Sequence, residues 1–180
     1  EILKFLFHDT ARLASAIFPP EHWAGSNSLP KTEFDPDSAR ILVRQLEEKY
    51  GSISLSYKTS TNKFRQRIAA VIQSQLADVG IELEIERLDF ATLMRDITKG
   101  DFQAYSLSWV GLNSPDIFRQ IFHSGATPPA GKNRGRYQST IADIYIEAGE
   151  REASVLGRKS IYENLELHLL KELPYFPLWF

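Results

Sequence analysis

Residues 52–109 read SISLSYKTSTNKFRQRIAAVIQSQLADVGIELEIERLDFATLMRDITKGDFQAYSLSW. Ser52 to Tyr57 alternates, with Ile53, Leu55 and Tyr57 on one face, which is the period of a half-buried strand. Lys58 to Asn62 is polar and reads as a loop, in which Thr61 or Asn62 can cap the next helix. Phe64, Ile68, Val71, Ile72, Leu76 and Val79 then recur at helical spacing, and Gly80 is the expected stop. Ile81 to Arg87 alternates again. Ile81, Leu83 and Ile85 face in, while Glu82, Glu84 and Glu86 form an acidic solvent row that suits a strand near an edge. Asp89 caps a second helix carrying Phe90, Leu93, Met94 and Ile97, which stops at Lys99-Gly100-Asp101. Phe102 to Trp109 is strand-like but mixed on both faces, as in a strand covered on both sides. Two successive strand–helix steps with right-handed crossovers predict an α/β fold: three layers, with a mainly parallel open sheet flanked by helices.

Open parallel sheets bind ligands at the carboxyl ends of their strands. Trp109-Val110-Gly111-Leu112-Asn113-Ser114-Pro115-Asp116 follows one such end, of a strand expected to be central. Trp109 is therefore a candidate pocket wall, and backbone groups beside Gly111 and Asn113 can hydrogen-bond a ligand. Plain core packing is the alternative for a lone Trp. Thr59, Ser60 and Thr61 follow a second parallel strand and should open on the same rim, where their hydroxyls suit polar recognition. The plainer reading of that loop is helix capping.

Outward from this stretch, Glu1 to Phe7 looks like an amphipathic helix, and Ile2 to Phe18 reads as a short helix and an irregular connection. Residues 18–36 are rich in Pro, Ser and Asn and read as an extended surface loop anchored by Trp23 and Phe34. Asp35-Pro36-Asp37 is a strong helix start. Ala39, Leu42, Val43, Leu46 and Tyr50 follow at helical spacing, and Gly51 stops the run. Beyond Trp109, a short helix is predicted near Asp116 to Phe122, then a Gly/Pro/basic loop over Ser124 to Gln138. Helices follow near Thr140 to Glu150 and from about Glu152 to Leu173, where Pro174 ends the second. Tyr175 to Phe180 reads as a final strand.

A chain of 180 residues is long enough for a real core and is read as one domain. Its 21 basic and 23 acidic residues give −2, so nothing argues for nucleic acid. It has no run of 18 apolar residues that could span a membrane. The absence of Cys excludes disulfides, thiol catalysis and thiolate metal sites. His8, His22, His123 and His168 fall in no paired metal spacing. There is no GxSxG elbow and no P-loop. Glu47-Glu48 and Glu82/Glu84 lie on solvent faces, so no converging carboxylate pair is legible. An enzyme is the lowest-ranked reading, and no cofactor or metal is expected. Lys132, Arg134 and Arg136 cluster between glycines, either as an anion-binding loop or as a solvated surface loop. The missing initiator Met and the apolar Leu178-Trp179-Phe180 end make both ends look cut from a longer protein.

Several segments resemble one family. Phe34-Asp35-Pro36-Asp37-Ser38-Ala39 and the preceding Pro19-Pro20-Glu21-His22-Trp23-Ala24 are similar to segments of the extracellular solute-binding proteins of oligopeptide- and dipeptide-type ABC importers (bacterial solute-binding protein family 5). Gln75-Leu76-Ala77-Asp78-Val79-Gly80-Ile81-Glu82-Leu83 resembles that family's helix-to-strand step. Lys99-Gly100-Asp101-Phe102, Trp109, Asp116-Ile117-Phe118, Phe122-His123-Ser124, Tyr137 with Asp143, and Leu173-Pro174-Tyr175-Phe176-Pro177-Leu178-Trp179 continue in family order.

The resemblance implies a periplasmic-binding-protein-like lobe, the second, C-terminal lobe of a two-lobed solute trap. The first lobe and the hinge crossings would be missing from it. It further implies a periplasmic or extracellular location, with a lipoprotein anchor as one form. The implied partners are a peptide or other small solute, ABC permease subunits and the first lobe, with no nucleic acid. The expected ligand-binding residues are Trp109, Val110, Gly111, Leu112, Asn113, Thr59, Ser60 and Thr61. Leu112 departs from the pattern, because peptide binders of the family carry an acid there for the peptide's free amine. The implied ligand is then an N-blocked peptide or a different solute. The alternative is the ligand-sensing domain of a bacterial transcription regulator of the same domain type.

Overall fold

A computed structural model describes residues 2–8 and 10–180. Glu1, at the head of the predicted first helix, and Asp9, in the connection after it, lie outside the described residues. The elements in chain order are α1 (Ile2–Leu6), α2 (Pro36–Tyr50), β1 (Ile53–Ser60), α3 (Lys63–Ala77), β2 (Ile81–Leu88), α4 (Phe90–Lys99) and β3 (Ala104–Tyr105). These are followed by α5 (Asp116–Phe122), a 3-10 turn (Ser124–Ala126), α6 (Thr140–Arg151) and α7 (Val155–Glu172). The chain divides into two units, one joining the first helix to Glu33–Ser108 and the other joining Phe7–Thr32 to Trp109–Phe180.

The first unit holds the parallel sheet, in the order β2-β1-β3. β1 pairs with β2 along its whole length, from Ile53 opposite Ile81 to Ser60 opposite Leu88. Leu55 and Tyr57 of β1 pack with Leu83, Ile85, Ala69, Ile72 and Leu76, so α3 covers that face. Lys58 points the opposite way, as alternation requires, and its ammonium meets Asp96 on α4. Leu93 and Ile97 of α4 are fully buried. Helix starts follow sequence chemistry. Asp35 accepts from the Ser38 amide, Asn62 from the Phe64 and Arg65 amides, and Asp89 from the Thr92 amide.

The structure corrects the expected elements in four places. First, Lys58, Thr59 and Ser60 extend β1 rather than forming a loop, and are 5%, 2% and 4% exposed. Their backbones pair with Glu86, Arg87 and Leu88, and carboxylates neutralise the Lys58 charge. Second, the strand expected over Phe102 to Trp109 shrinks to two residues at the other edge, so β1 is the central strand. At that edge the Gln103 side chain, not a main-chain carbonyl, accepts from the Ser56 amide at 2.6 Å.

Third, Phe34 anchors nothing: it is 85% exposed. Of the apolar residues on α2, only Val43 is buried. Conversely, the 18–36 segment is not all surface, since Phe18, Ala24 and Leu29 are buried. Fourth, the final strand reduces to one antiparallel bridge, Trp179 with Leu13. The Arg12 and Phe180 main chains exchange hydrogen bonds beside it. Pro174 and Pro177 have no amide to donate to a longer ladder.

The core of the second unit is aromatic. Phe118 stacks on Tyr162 at 5.4 Å and meets Phe18 edge-on at 5.5 Å, while Phe122, Ile146, Leu165 and Leu169 close around them. Trp23 is 36% exposed and packs edge-on against Tyr162 with ring centroids 6.3 Å apart, so it is an anchor as expected.

Candidate functional site

Trp109 opens the second unit and packs against its aromatic core, as does Leu112. Between them the loop turns outward: Val110 is 91% exposed, and Gly111 has φ +72°, a conformation that favours glycine. Trp109 is partly buried, with one part on the core and the rest at the surface. His22 fastens the loop. Its Nδ1 accepts from the Ala24 amide at 3.1 Å, which leaves the proton on Nε2 to donate to the Asn113 carbonyl at 3.4 Å. The ring stacks on Phe18 at 4.3 Å, so the loop is tied to the core through one imidazole.

The basic loop reaches the same place. The Lys132 ammonium lies 5.6 Å, and the Arg134 guanidinium 5.5 Å, from the Trp109 ring centroid. Both contacts are within cation–π range. Asn133, between them, is fully buried and fixes the turn. Its side chain donates to the His123 and Tyr137 carbonyls and accepts from the Tyr137 amide at 2.9 Å. The Lys132 amide donates to the Gln120 carbonyl at 2.8 Å. The Tyr137 phenol is pushed up to about 12 by burial and then by the neighbouring Glu172 carboxylate, so it stays protonated and donates to that carboxylate.

The other predicted residues belong to the first unit. Thr59 is buried within β1. Ser60 and Thr61 line an open cleft of about 380 Å³ with Asn62, Arg65 and Phe90. The Arg65 guanidinium lies 5.9 Å from the Phe90 ring centroid, and its Nη1 is shielded from solvent with no hydrogen-bond partner. Trp109, Val110, Gly111, Leu112 and Asn113 therefore form one local group, and Ser60 with Thr61 another, each within its own unit.

Sequence reasoning missed Arg65 and Phe90. Arg65 stands off the apolar stripe, and Phe90, read only as one of the apolar residues its helix carries, is 55% exposed. Their one legible signal was position, just after the ends of β1 and β2. The approach of Lys132 and Arg134 to Trp109 had no local signal at all.

The family model for the middle part of the bacterial extracellular solute-binding proteins, family 5, matches residues 1–128. The chain belongs to that family. Its family 5 relatives include di/tripeptide-binding protein 2 of Pseudomonas aeruginosa, 25% identical over 180 residues and covering 98% of this chain. The dipeptide-binding protein of Escherichia coli is 26% identical over 178 residues and covers 96%. The chain spans about a third of the length of each: 34% and 33%.

Among solved structures, the oligopeptide-binding protein AppA of Bacillus subtilis, in complex with a nonapeptide, superposes with a TM-score of 0.87. It is 22% identical, and the match covers 99% of this chain and 38% of that one. NikZ of Campylobacter jejuni, in complex with Ni(L-His), gives 0.86 at 20% identity, again over 99% and 38%. These likenesses establish a periplasmic-binding-protein fold. Among the described residues, no helix is long and apolar enough to cross a membrane.

Proposed function

We propose that this chain serves as the C-terminal lobe of a solute receptor for an ABC importer, binding a peptide or related small solute without chemically changing it. The observation that carries the reading is the family match over residues 1–128. Peptide-binding relatives on both the sequence and the structural side support the solute class. The Trp109 loop would contribute an aromatic wall and the backbone groups of Gly111 and Asn113. Within the other unit, Ser60, Thr61 and Arg65 would offer hydroxyl and guanidinium donors of a local site of their own. Such a receptor works outside the cytoplasmic membrane, and ligand-driven closure against a partner lobe would present the solute to permease subunits.

The test is mass spectrometry of small molecules that co-purify with the native protein, followed by titration of the identified solute into wild type and Trp109→Ala. A co-purifying peptide or small solute, with affinity lowered at least tenfold by the substitution, is the expected result. A solute consumed on incubation with the protein would overturn the reading.

A further inference from the structure

Resting on the solute-binding reading, we infer that the subsite at Trp109 is built for an anionic group of the ligand, a carboxylate or phosphate, and not for an ammonium. Residues 109–115 carry no acidic side chain, and the position where the family resemblance calls for an acid holds Leu112, packed against the aromatic core. Two cations approach the indole: Lys132 at 5.6 Å and Arg134 at 5.5 Å from the ring centroid. Among the described residues neither side chain has an ion-pair or hydrogen-bond partner, so their N–H donors are uncommitted.

Two cations drawn to one ring repel each other, and a ligand anion that pairs with either relieves that repulsion. An ammonium brought to the same ring would meet two like charges. The arrangement is also held in place. Asn133 is fully buried, with both ends of its amide bonded, and it fixes the backbone from which both cations project. His22 holds the facing loop by the Asn113 carbonyl. Pre-set donors lose less freedom on binding than those of a mobile surface loop.

The experiment follows the Trp109 indole N–H resonance, assigned with Trp109→Phe, during titration with four probes. N-acetyl-Gly-Gly offers a carboxylate and no ammonium. Gly-Gly-amide offers an ammonium and no carboxylate. N-acetyl-Gly-Gly-amide offers neither, and inorganic phosphate is the fourth probe. The expected result is saturable binding of N-acetyl-Gly-Gly at least tenfold tighter than of either amide. Lys132→Gln/Arg134→Gln should weaken it at least tenfold, as should added salt. Phosphate binding tighter than N-acetyl-Gly-Gly assigns the anion to a phosphoryl group, and the reverse assigns it to a carboxylate. Gly-Gly-amide binding as well as or better than N-acetyl-Gly-Gly overturns the anion assignment and leaves the solute-binding reading standing. No response to any of the four probes overturns the anion assignment, and the absence of any co-purifying solute overturns the solute-binding reading. Lys132 is exposed and Arg134 partly so, and an unchanged urea-unfolding midpoint of the free variant verifies its fold.

Discussion

The main-chain amide of Ile17 donates to the buried carboxylate of Glu166 on α7 at 3.0 Å, and the Phe18 amide donates to the same Oε1 at 3.4 Å. Burial pushes the Glu166 pKa up to about 7 from 4.5, even though both amides pull it down. The folded state therefore holds a proton that the unfolded state releases from about pH 4.5 upward. Stability is full below that range and falls as pH rises to about 7, by up to about 3 kcal/mol. Urea unfolding at pH 5 and pH 8 should show this fall in wild type, and Glu166→Gln should remove that part of it. Carboxylates held low by partners, such as Glu21 beside Arg12 at about 2, act only below pH 4.5 and leave the window clear. Equal pH slopes in the two proteins would count against Glu166 as the source.

Lys58 places a nearly buried ammonium 3.1 Å from Asp96 and 3.1 Å from Asp101. Burial alone would lower its pKa, but the hydrogen bonds it donates to Asp96 and Asp101 outweigh that and the net shift is upward. Removing one partner of a buried pair strands the other. Lys58→Met is expected to destabilise the protein by about 3 kcal/mol. The loss should be mainly through Asp96, because Asp101 is 72% exposed and hydrates instead. A double-mutant cycle with Asp96→Asn should then return part of the loss, read from denaturant midpoints. Additive single effects would contradict the pairing.

Asn133→Ala removes the partners of three main-chain groups: the His123 and Tyr137 carbonyls and the Tyr137 amide. A cost of about 3 kcal/mol is expected. Lys132 and Arg134 should also lose their fixed approach to the indole. The combined signature is a lower melting temperature and a shifted Trp109 resonance. A stability loss with that resonance unmoved would uncouple the turn from the ring.

Gly149 lies where α6 meets α7. A Cβ there would fall 2.5 Å from Cε1 and 2.7 Å from Cζ of Tyr162, itself locked in the aromatic stack. Alanine is the better helix former by about 1 kcal/mol, which alone would make Gly149→Ala stabilising. Overpacking works against it, and a net loss of about 2 kcal/mol is expected by thermal or urea unfolding. An unchanged or raised midpoint would mean that Tyr162 can move aside.

Local chemistry made much of the fold legible. Alternation located β1 and β2, the glutamate row identified β2 as an edge, and Asp35, Asn62 and Asp89 announced their helices. Asp116 to Phe122 forms a helix over the expected span because its apolar side chains had a core to enter. Readings failed where distant residues decided the outcome. Lys58 looked like loop because nothing nearby revealed Asp96 and Asp101. Phe34 looked like an anchor because an aromatic among polar residues normally is one. The gathering of Lys132, Arg134 and Trp109 depends on a turn fixed by Asn133, whose bonds run to His123 and Tyr137. The residues were all visible in the sequence, but the distances between them were not.

The bridge between Leu13 and Trp179 has a consequence for synthesis. The sheet-bearing strands, over Ile53–Tyr105, leave the ribosome as one continuous run and can assemble early. The aromatic unit is stitched from Phe7–Thr32 and Trp109–Phe180, so its first segment must wait for its last. At ordinary translation rates that wait lasts roughly ten seconds. Throughout it, Phe18 and the amides that Glu166 will receive are without partners, so the aromatic unit closes only when its last segment arrives.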